Sequence, residues 1–139
     1  MTSFTWSPKG SIIAVGRIGH SCQLVDSQSG KVLHSLVAMA PVLSATWTPS
    51  GQTVGCGCHD RTVRFWDAAT GDLRGHLIAE ETQVAAVSAD GHFKAESGIE
   101  ADLFYVVQTD KTQETLTISE FATKAKWKNN PAQVAAIGK

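Results

Sequence analysis

The sequence lacks most of the features that mark specialised classes of protein. It has three cysteines, Cys22, Cys56 and Cys58, an odd number that is too small for a disulfide framework, so free thiols are expected. Twelve Lys and Arg against thirteen Asp and Glu leave a net charge of −1, which gives no electrostatic reason to expect nucleic acid or a membrane as partner. The longest apolar run, Leu36 to Leu43, is interrupted by Pro41, and no apolar signal core follows Met1. We therefore predict a soluble, cytoplasmic chain.

Motifs of catalysis are missing as well. The sequence has no nucleophile elbow, no phosphate-cradling glycine-rich loop and no carboxylate pair. Its one ligand-like cluster is Cys56-Gly-Cys58-His59, which lacks the second pair of ligands that a structural zinc site needs. On a strand, Cys56 and Cys58 share one face, so they are expected to pack in a core. We predict no enzymatic activity, no cofactor and no metal; a small metal or redox protein is the remaining alternative for this cluster.

An internal repeat is the main positive feature. The segment Trp6-Ser-Pro-Lys-Gly10 recurs 41 residues later as Trp47-Thr-Pro-Ser-Gly51, and again 40 residues later as Val87-Ser-Ala-Asp-Gly91. The same offset carries Val25-Asp26 onto Trp66-Asp67. Pro and Gly in the first two segments suit type I turns, because Pro presets the backbone and Gly tolerates the exit. A repeat of this length with one Trp-Asp is typical of β-propeller blades.

Each unit is predicted to contain four short strands. In the second unit they run from Pro41 to Trp47, Gln52 to Cys58, Arg61 to Trp66 and Asp72 to Ile78. The third of these alternates between apolar and polar residues, as expected for a strand with one buried face. The repeat offset gives three equivalent apolar pairs: Cys22 and Leu24, Val63 and Phe65, and Leu103 and Tyr105.

The third unit is eroded, and a different pattern follows it. Lys111 stands where the earlier units have Gly30 and Gly71. Beyond it the apolar spacing changes to that of a helix, which opens with the capping-box sequence Thr117-Ile-Ser-Glu120 and is expected to end at Asn129-Asn130-Pro131. We expect repeat units at about 1–40, 41–81 and 82–116, and a helix with a tail at 117–139.

With these motifs in place, the chain resembles WD40-repeat β-propellers over roughly Ser3 to Leu116. The specific match is Gly57-Cys-His-Asp-Arg-Thr-Val-Arg-Phe-Trp-Asp67. The resemblance implies that Asp60 and Trp66 belong to the structural hydrogen-bond network of the family, with Asp67, Gly10, Gly51 and Gly91 as further motif positions. The other units have Gly19 and Val25, and Glu100 and Val106, at the places of Asp60 and Trp66. Gly75-His76 is either a displaced family motif or an ordinary pair on a strand.

The end of the chain is similar to that of bacterial WD40 proteins of the planctomycete type. The similar residues are the stretch from Phe104 to Phe121 and the segment Trp127-Lys-Asn-Asn-Pro131. The resemblance to WD40-repeat propellers implies an all-β fold of three four-stranded antiparallel blades, a partial WD40-type propeller, plus a short C-terminal helix. The similarity at the end of the chain implies that the chain is the C-terminal end of a longer protein.

The expected function is a non-catalytic scaffold that binds a protein or peptide. Exposed turns commonly carry such contacts, and the candidate residues are Arg17, His20, His59 and Arg61. The alternative is a regulatory or sensor segment of a larger enzyme such as a bacterial Ser/Thr kinase. Because propellers close with about four to eight blades, three blades leave two open faces with apolar rows such as Val63 and Phe65. We therefore expect either a longer propeller or self-association, two chains giving six blades.

Overall fold

The first two units fold into antiparallel sheets of the expected kind. The structure is a computed structural model, and it describes residues 3–81, 83–95, 99, 103–108 and 112–134. The first unit forms a four-stranded sheet in the order β1-β2-β3-β4, and the second unit contributes β5 to β8 to the next sheet. The strands are β1 (Ser3–Trp6), β2 (Ile12–Arg17), β3 (Ser21–Asp26), β4 (Val32–Val37), β5 (Val42–Trp47), β6 (Thr53–Cys58), β7 (Thr62–Asp67) and β8 (Leu73–Ala79).

The repeat in the sequence is also a repeat of backbone conformation. Gly10 and Gly51 close their turns at φ of 71° and 72°, and the N–H of each donates to the carbonyl three residues earlier. Strand β3 has a register shift between Leu24 and Val25, and β7 has one at the equivalent place between Phe65 and Trp66. Two units that share turns and irregularities at a fixed offset are copies of one structural unit.

The core lies between the two sheets. The inner face of the first sheet presents Ala14, Cys22, Leu24 and Leu36, and these residues are buried in one cluster with Val54, Cys56 and Trp66 of the second unit. Strand β5 packs against β1 and β2, and the indole Nε1 of Trp47 donates to the carbonyl of Thr5 at 3.3 Å. The face-to-face packing of consecutive units is therefore the main source of hydrophobic stabilisation.

The strands of the third unit are distributed differently from the expected four-stranded blade. Strands β9 (Val84–Ser88) and β10 (Phe93–Ala95) extend the second sheet, whose order is β10-β9-β8-β7-β6-β5. Strands β11 (Phe104–Gln108) and β12 (Gln113–Thr117) form a separate hairpin. Attachment of β9 requires Gly75, because a Cβ there would lie 2.4 Å from the carbonyl oxygen of Val87. The all-β fold class with a partial propeller is confirmed.

The predicted helix is confirmed, although it ends earlier than expected. Helix α1 (Ile118–Ala125) begins with a capping box: the Thr117 hydroxyl accepts from the N–H of Glu120, whose carboxylate accepts from the N–H of Thr117. Lys126, at φ 50°, ends the helix before Asn129 is reached, because a left-handed residue cannot continue it. Phe121 stacks on Tyr105 of β11 at 4.2 Å between ring centroids. Within the described ranges no helix has the length and hydropathy of a membrane-spanning segment.

Candidate functional site

The four candidate binding residues lie on two equivalent turns. Arg17 and His20 flank the β2–β3 turn, and His59 and Arg61 belong to the β6–β7 turn; all four are exposed. His20 and Arg61 occupy the same left-handed position, each with φ of 63°. Their carbonyls accept hydrogen bonds from the N–H groups of Ala38 and Ala79, at 2.8 and 3.1 Å. The two turns are thus held in the same manner, and both present polar side chains to solvent.

Contacts with nearby side chains restrict the two arginines of this set. The Arg17 guanidinium donates to the Gln23 side-chain carbonyl at 2.8 Å, so its charge is not neutralised by that contact. Arg61 forms an ion pair with Glu80 at 2.6 Å, with side chains 64% and 43% exposed. Exposed pairs of this kind contribute little to stability, so little free energy is needed to separate Arg61 from Glu80. A non-glycine residue with positive φ is uncommon and often marks a functional turn.

Asp60 organises the second of these turns. Its Oδ1 accepts from the N–H and the hydroxyl of Thr62, at 3.1 and 2.6 Å, and its Oδ2 pairs with Arg64 at 3.2 Å. Burial raises the pKa of Asp60, but the hydrogen bonds from Thr62 and the nearby Arg64 outweigh burial, so the net pKa is lowered and the group is ionised at neutral pH. Trp66 lies away from this carboxylate in the direction of the core, where it is 2% exposed.

His76 stands beside this group and is neutral. Burial, followed by the charge of Arg64, lowers the pKa of His76 below its ordinary value. It pairs with Arg64 across β7 and β8 and with Val87 across β8 and β9. Gly75-His76 is therefore placed inside strand β8, next to the attached hairpin.

The turns at the opposite ends of the strands are stabilised by Asp67 and by the glycines Gly10, Gly51 and Gly91. The hydrogen bond from Arg74, at 2.6 Å, lowers the pKa of Asp67, as do the N–H groups of Thr70 and Ala69. Gly91 has φ of 89° and donates to the Ser88 carbonyl at 3.0 Å, as the glycines of the first two units do in their turns. The turn is thus kept in the third unit although Trp and Pro have been lost there.

Replacing Asp60 with alanine is expected to lower the free energy of unfolding by about 1–2 kcal/mol, because Thr62 and the half-buried Arg64 lose their acceptor. The matched control is Asp72→Ala, an exposed aspartate in a strand-connecting turn, for which a change under about 0.5 kcal/mol is expected. Chemical denaturation of both variants gives the comparison. Equal losses of unfolding free energy in the two variants would show that Asp60 does not organise the turn. Glu100, the equivalent position in the third unit, lies outside the described residues.

The cysteines lie in the core. Cys22 and Cys56 are fully buried, one from each sheet, and Cys58 is 6% exposed. The hydrogen bond with Cys22, together with burial, raises the pKa of Cys56, so this thiol stays protonated and is a poor nucleophile. His59 points to the exposed turn instead of into this cluster. Among the described residues no group of three His, Cys, Asp or Glu side chains is arranged to hold a metal.

An exposed apolar row on the first sheet was not singled out by the sequence analysis. Phe4 and Trp6 are 61% and 53% exposed, and the strand register places them on one face with Ile13, Val15 and Val25. Phe65, in contrast, was expected on an open face and is only 8% exposed, so that expectation is wrong. The repeat offset identifies the equivalent positions of the second unit, where Val54, Cys56 and Trp66 are buried and Trp47 is partly buried.

Comparisons with known proteins agree with this architecture. Residues 1–47 match the family model of the anaphase-promoting complex subunit 4 WD40 domain. Residues 30–67 match the model of the WD domain, G-beta repeat. The search of curated proteins finds no match. Together the two matches span residues 1–67, from β1 to β7, and both are models of WD40 repeats, so this part of the chain is similar to WD40-repeat proteins.

Proposed function

We propose that the chain is a non-catalytic interaction scaffold that works as part of a larger WD40 propeller. WD40 repeats generally mediate contacts between proteins. One observation supports the larger assembly: Phe4 and Trp6 are exposed on the outer face of the first sheet, whereas the equivalent face of the second unit packs against a neighbouring sheet.

The repeat offset makes this comparison direct. Trp6, Ile13, Val15 and Val25 correspond to Trp47, Val54, Cys56 and Trp66. In the second unit, Val54 and Cys56 are fully buried, Trp66 is 2% exposed, and Trp47 packs against the same cluster. These residues of the second unit are covered by the inner face of the first sheet. The first sheet presents the same kind of surface, so the surface that fits it is the face of another blade.

The outer face of the first sheet is covered by another blade, which is supplied by a second copy of the chain or by further units of the same polypeptide. Exposed Phe and Trp side chains in one row form the kind of apolar patch that drives association. Replacing Trp6 with glutamate is expected to abolish association of the purified chain by introducing a charge into the contact. Phe104→Glu, at an equally exposed aromatic on β11, is the matched control and should leave association unchanged.

Sedimentation velocity over a range of concentrations provides the test. Concentration-dependent assembly of the wild type that is lost in Trp6→Glu and kept in Phe104→Glu supports completion by a second copy. A monomer at all concentrations, with cooperative unfolding and no rise in solubility for Trp6→Glu, would argue against an unsatisfied blade face.

The candidate docking set for an external protein or peptide is Arg17, His20, His59 and Arg61. What supports it is their exposure on equivalent turns, the strained backbone of His20 and Arg61, and the arginine charges. A partner with carboxylates fits this set best. Changing all four residues to alanine should reduce capture of a partner at least tenfold, as two lost charge-assisted hydrogen bonds would. A control variant with Lys9, Ser29 and Thr70 changed to alanine, at the opposite turns, should bind as the wild type. Equal capture by both variants would exclude these turns.

A further inference from the structure

The segment after α1 is fastened to the β9–β10 hairpin by a set of specific polar contacts. We call Trp127, Asn129 and Asn130 the C-terminal clasp. The Asn129 side chain makes two hydrogen bonds to the backbone of Phe93: its Oδ1 accepts from the N–H and its Nδ2 donates to the carbonyl, both at 2.9 Å. This is the pair of bonds that a neighbouring strand would make. Strand β10 has β9 on one side, and the clasp therefore covers backbone groups on its other side.

A second contact of the clasp depends on a titratable group. The N–H of Asn130 donates to Nδ1 of His92 at 3.1 Å, and the His92 ring stacks on Trp127 with 5.2 Å between centroids. An imidazole nitrogen accepts a hydrogen bond only when it carries no proton. The closed clasp therefore requires neutral His92 with its proton on Nε2.

The rest of the clasp is held without His92. Trp127 lies edge-on to Tyr105 and Phe121, at 5.4 and 5.5 Å between centroids, and the Tyr105 hydroxyl donates to the Gly91 carbonyl at 2.7 Å. These contacts keep the aromatic base of the clasp in place. Opening at the Asn129 and Asn130 end therefore leaves these aromatic contacts intact.

We propose that the C-terminal clasp is a pH-sensitive latch that is closed over the edge of β10 at neutral pH and is released when His92 is protonated. Protonation places an N–H on Nδ1 against the N–H of Asn130, so two donors face each other and the hydrogen bond is lost. Neighbouring Asn129 then loses its anchor, and the N–H and carbonyl of Phe93 return to solvent. Histidine is the side chain whose charge ordinarily changes between about pH 5 and 8.

Three other titratable groups surround His92 in the described part of the chain. Asp90, on the same hairpin, accepts from the backbone N–H of His92 at 3.4 Å through Oδ1, so a negative charge lies close to His92. Lys128, which lies between Trp127 and Asn129, lines the same surface depression as His92. Tyr105, on β11, reaches Gly91 with its hydroxyl and is uncharged across this pH range, because burial raises its pKa. His92 is the member of this group whose ring accepts a hydrogen bond from the clasp.

Amide hydrogen exchange of Phe93, followed by NMR at pH 7.5 and pH 5.5 and corrected for the intrinsic rate, tests the latch. We expect protection of Phe93 to fall on the order of tenfold at the lower pH, the effect of losing one hydrogen bond of ordinary strength. Protection of Leu24, in the core of the first sheet, should be unchanged and so excludes global unfolding.

Two variants make the test specific. His92→Asn keeps an acceptor near the position of Nδ1 but does not titrate, so Phe93 should be equally protected at both pH values. Asn129→Ala removes the acceptor of the Phe93 N–H, so Phe93 should be poorly protected at both. Equal protection of wild-type Phe93 at the two pH values would overturn the proposal, and so would an undiminished pH response in His92→Asn. A variant that also loses protection at Leu24 is partly unfolded. In that case the comparison of wild-type Phe93 at the two pH values decides.

Discussion

Replacing Trp66 with alanine is expected to lower the free energy of unfolding by about 3–5 kcal/mol, the cost of truncating a large aromatic residue in a packed core. Trp66 is 2% exposed and joins the cluster formed between the two sheets. The cavity left behind would face Val54 in the adjacent strand and the inner face of the first sheet. Chemical denaturation at low protein concentration measures the change.

The matched control is Trp6→Ala, which removes the same side chain from a surface position. Trp6 is 53% exposed, so the loss of folding stability should be under about 1 kcal/mol. The expected effect of this second change is on association instead. Similar losses of folding stability for the two variants would mean that the first sheet, like the second, has its outer face covered within one chain.

Replacing Gly75 with alanine is expected to destabilise the chain by about 3 kcal/mol and to detach β9 from β8. The added Cβ would lie 2.4 Å from the Val87 carbonyl oxygen and 3.1 Å from Cα of Ser88, and backbone atoms in a sheet cannot move aside cheaply. The backbone of Gly75, at φ 157°, adds strain for any other residue.

Gly10→Ala separates this clash from the general cost of replacing a glycine. Gly10 has φ of 71° and open space around its Cα, so only about 1 kcal/mol of conformational strain is expected. Thermal unfolding followed by circular dichroism compares the two variants. If Gly75→Ala costs no more than Gly10→Ala, the attachment of β9 to β8 would be contradicted.

The repeat explains how much of the fold could be predicted from the sequence. The turns at Gly10 and Gly51 are determined by local residues. The repeat therefore predicts the positions of these turns and of the strands in the first two units. The capping box at Thr117 and Glu120 is equally local. Pairing of β9 with β8 was not predicted, because it depends on a close approach between strands that only the space at Gly75 permits.

The candidate site divides in the same way. Placing His20 and Arg61 on equivalent turns needed only the offset between the units. The partners of Asp60 are two and four residues away in sequence. The resemblance, however, implies Trp66 and not Arg64 as a member of the same hydrogen-bond network. The exposure of Phe4 and Trp6 depends on which sheet face has a neighbour, and alternation of apolar residues does not specify that. Contacts of Asn129 with Phe93 span 36 residues and have no signature in the repeat.

The proposed function requires the claim that another blade covers the outer face of the first sheet, and photo-crosslinking tests this claim most directly. A benzophenone amino acid in place of Phe4 would report what lies against this face in the full chain. We predict covalent dimers whose crosslinked peptide maps to a sheet face of a second copy, with none formed in the Trp6→Glu background. Chains without any crosslink, or crosslinks that map to a segment other than a sheet face, would contradict the claim.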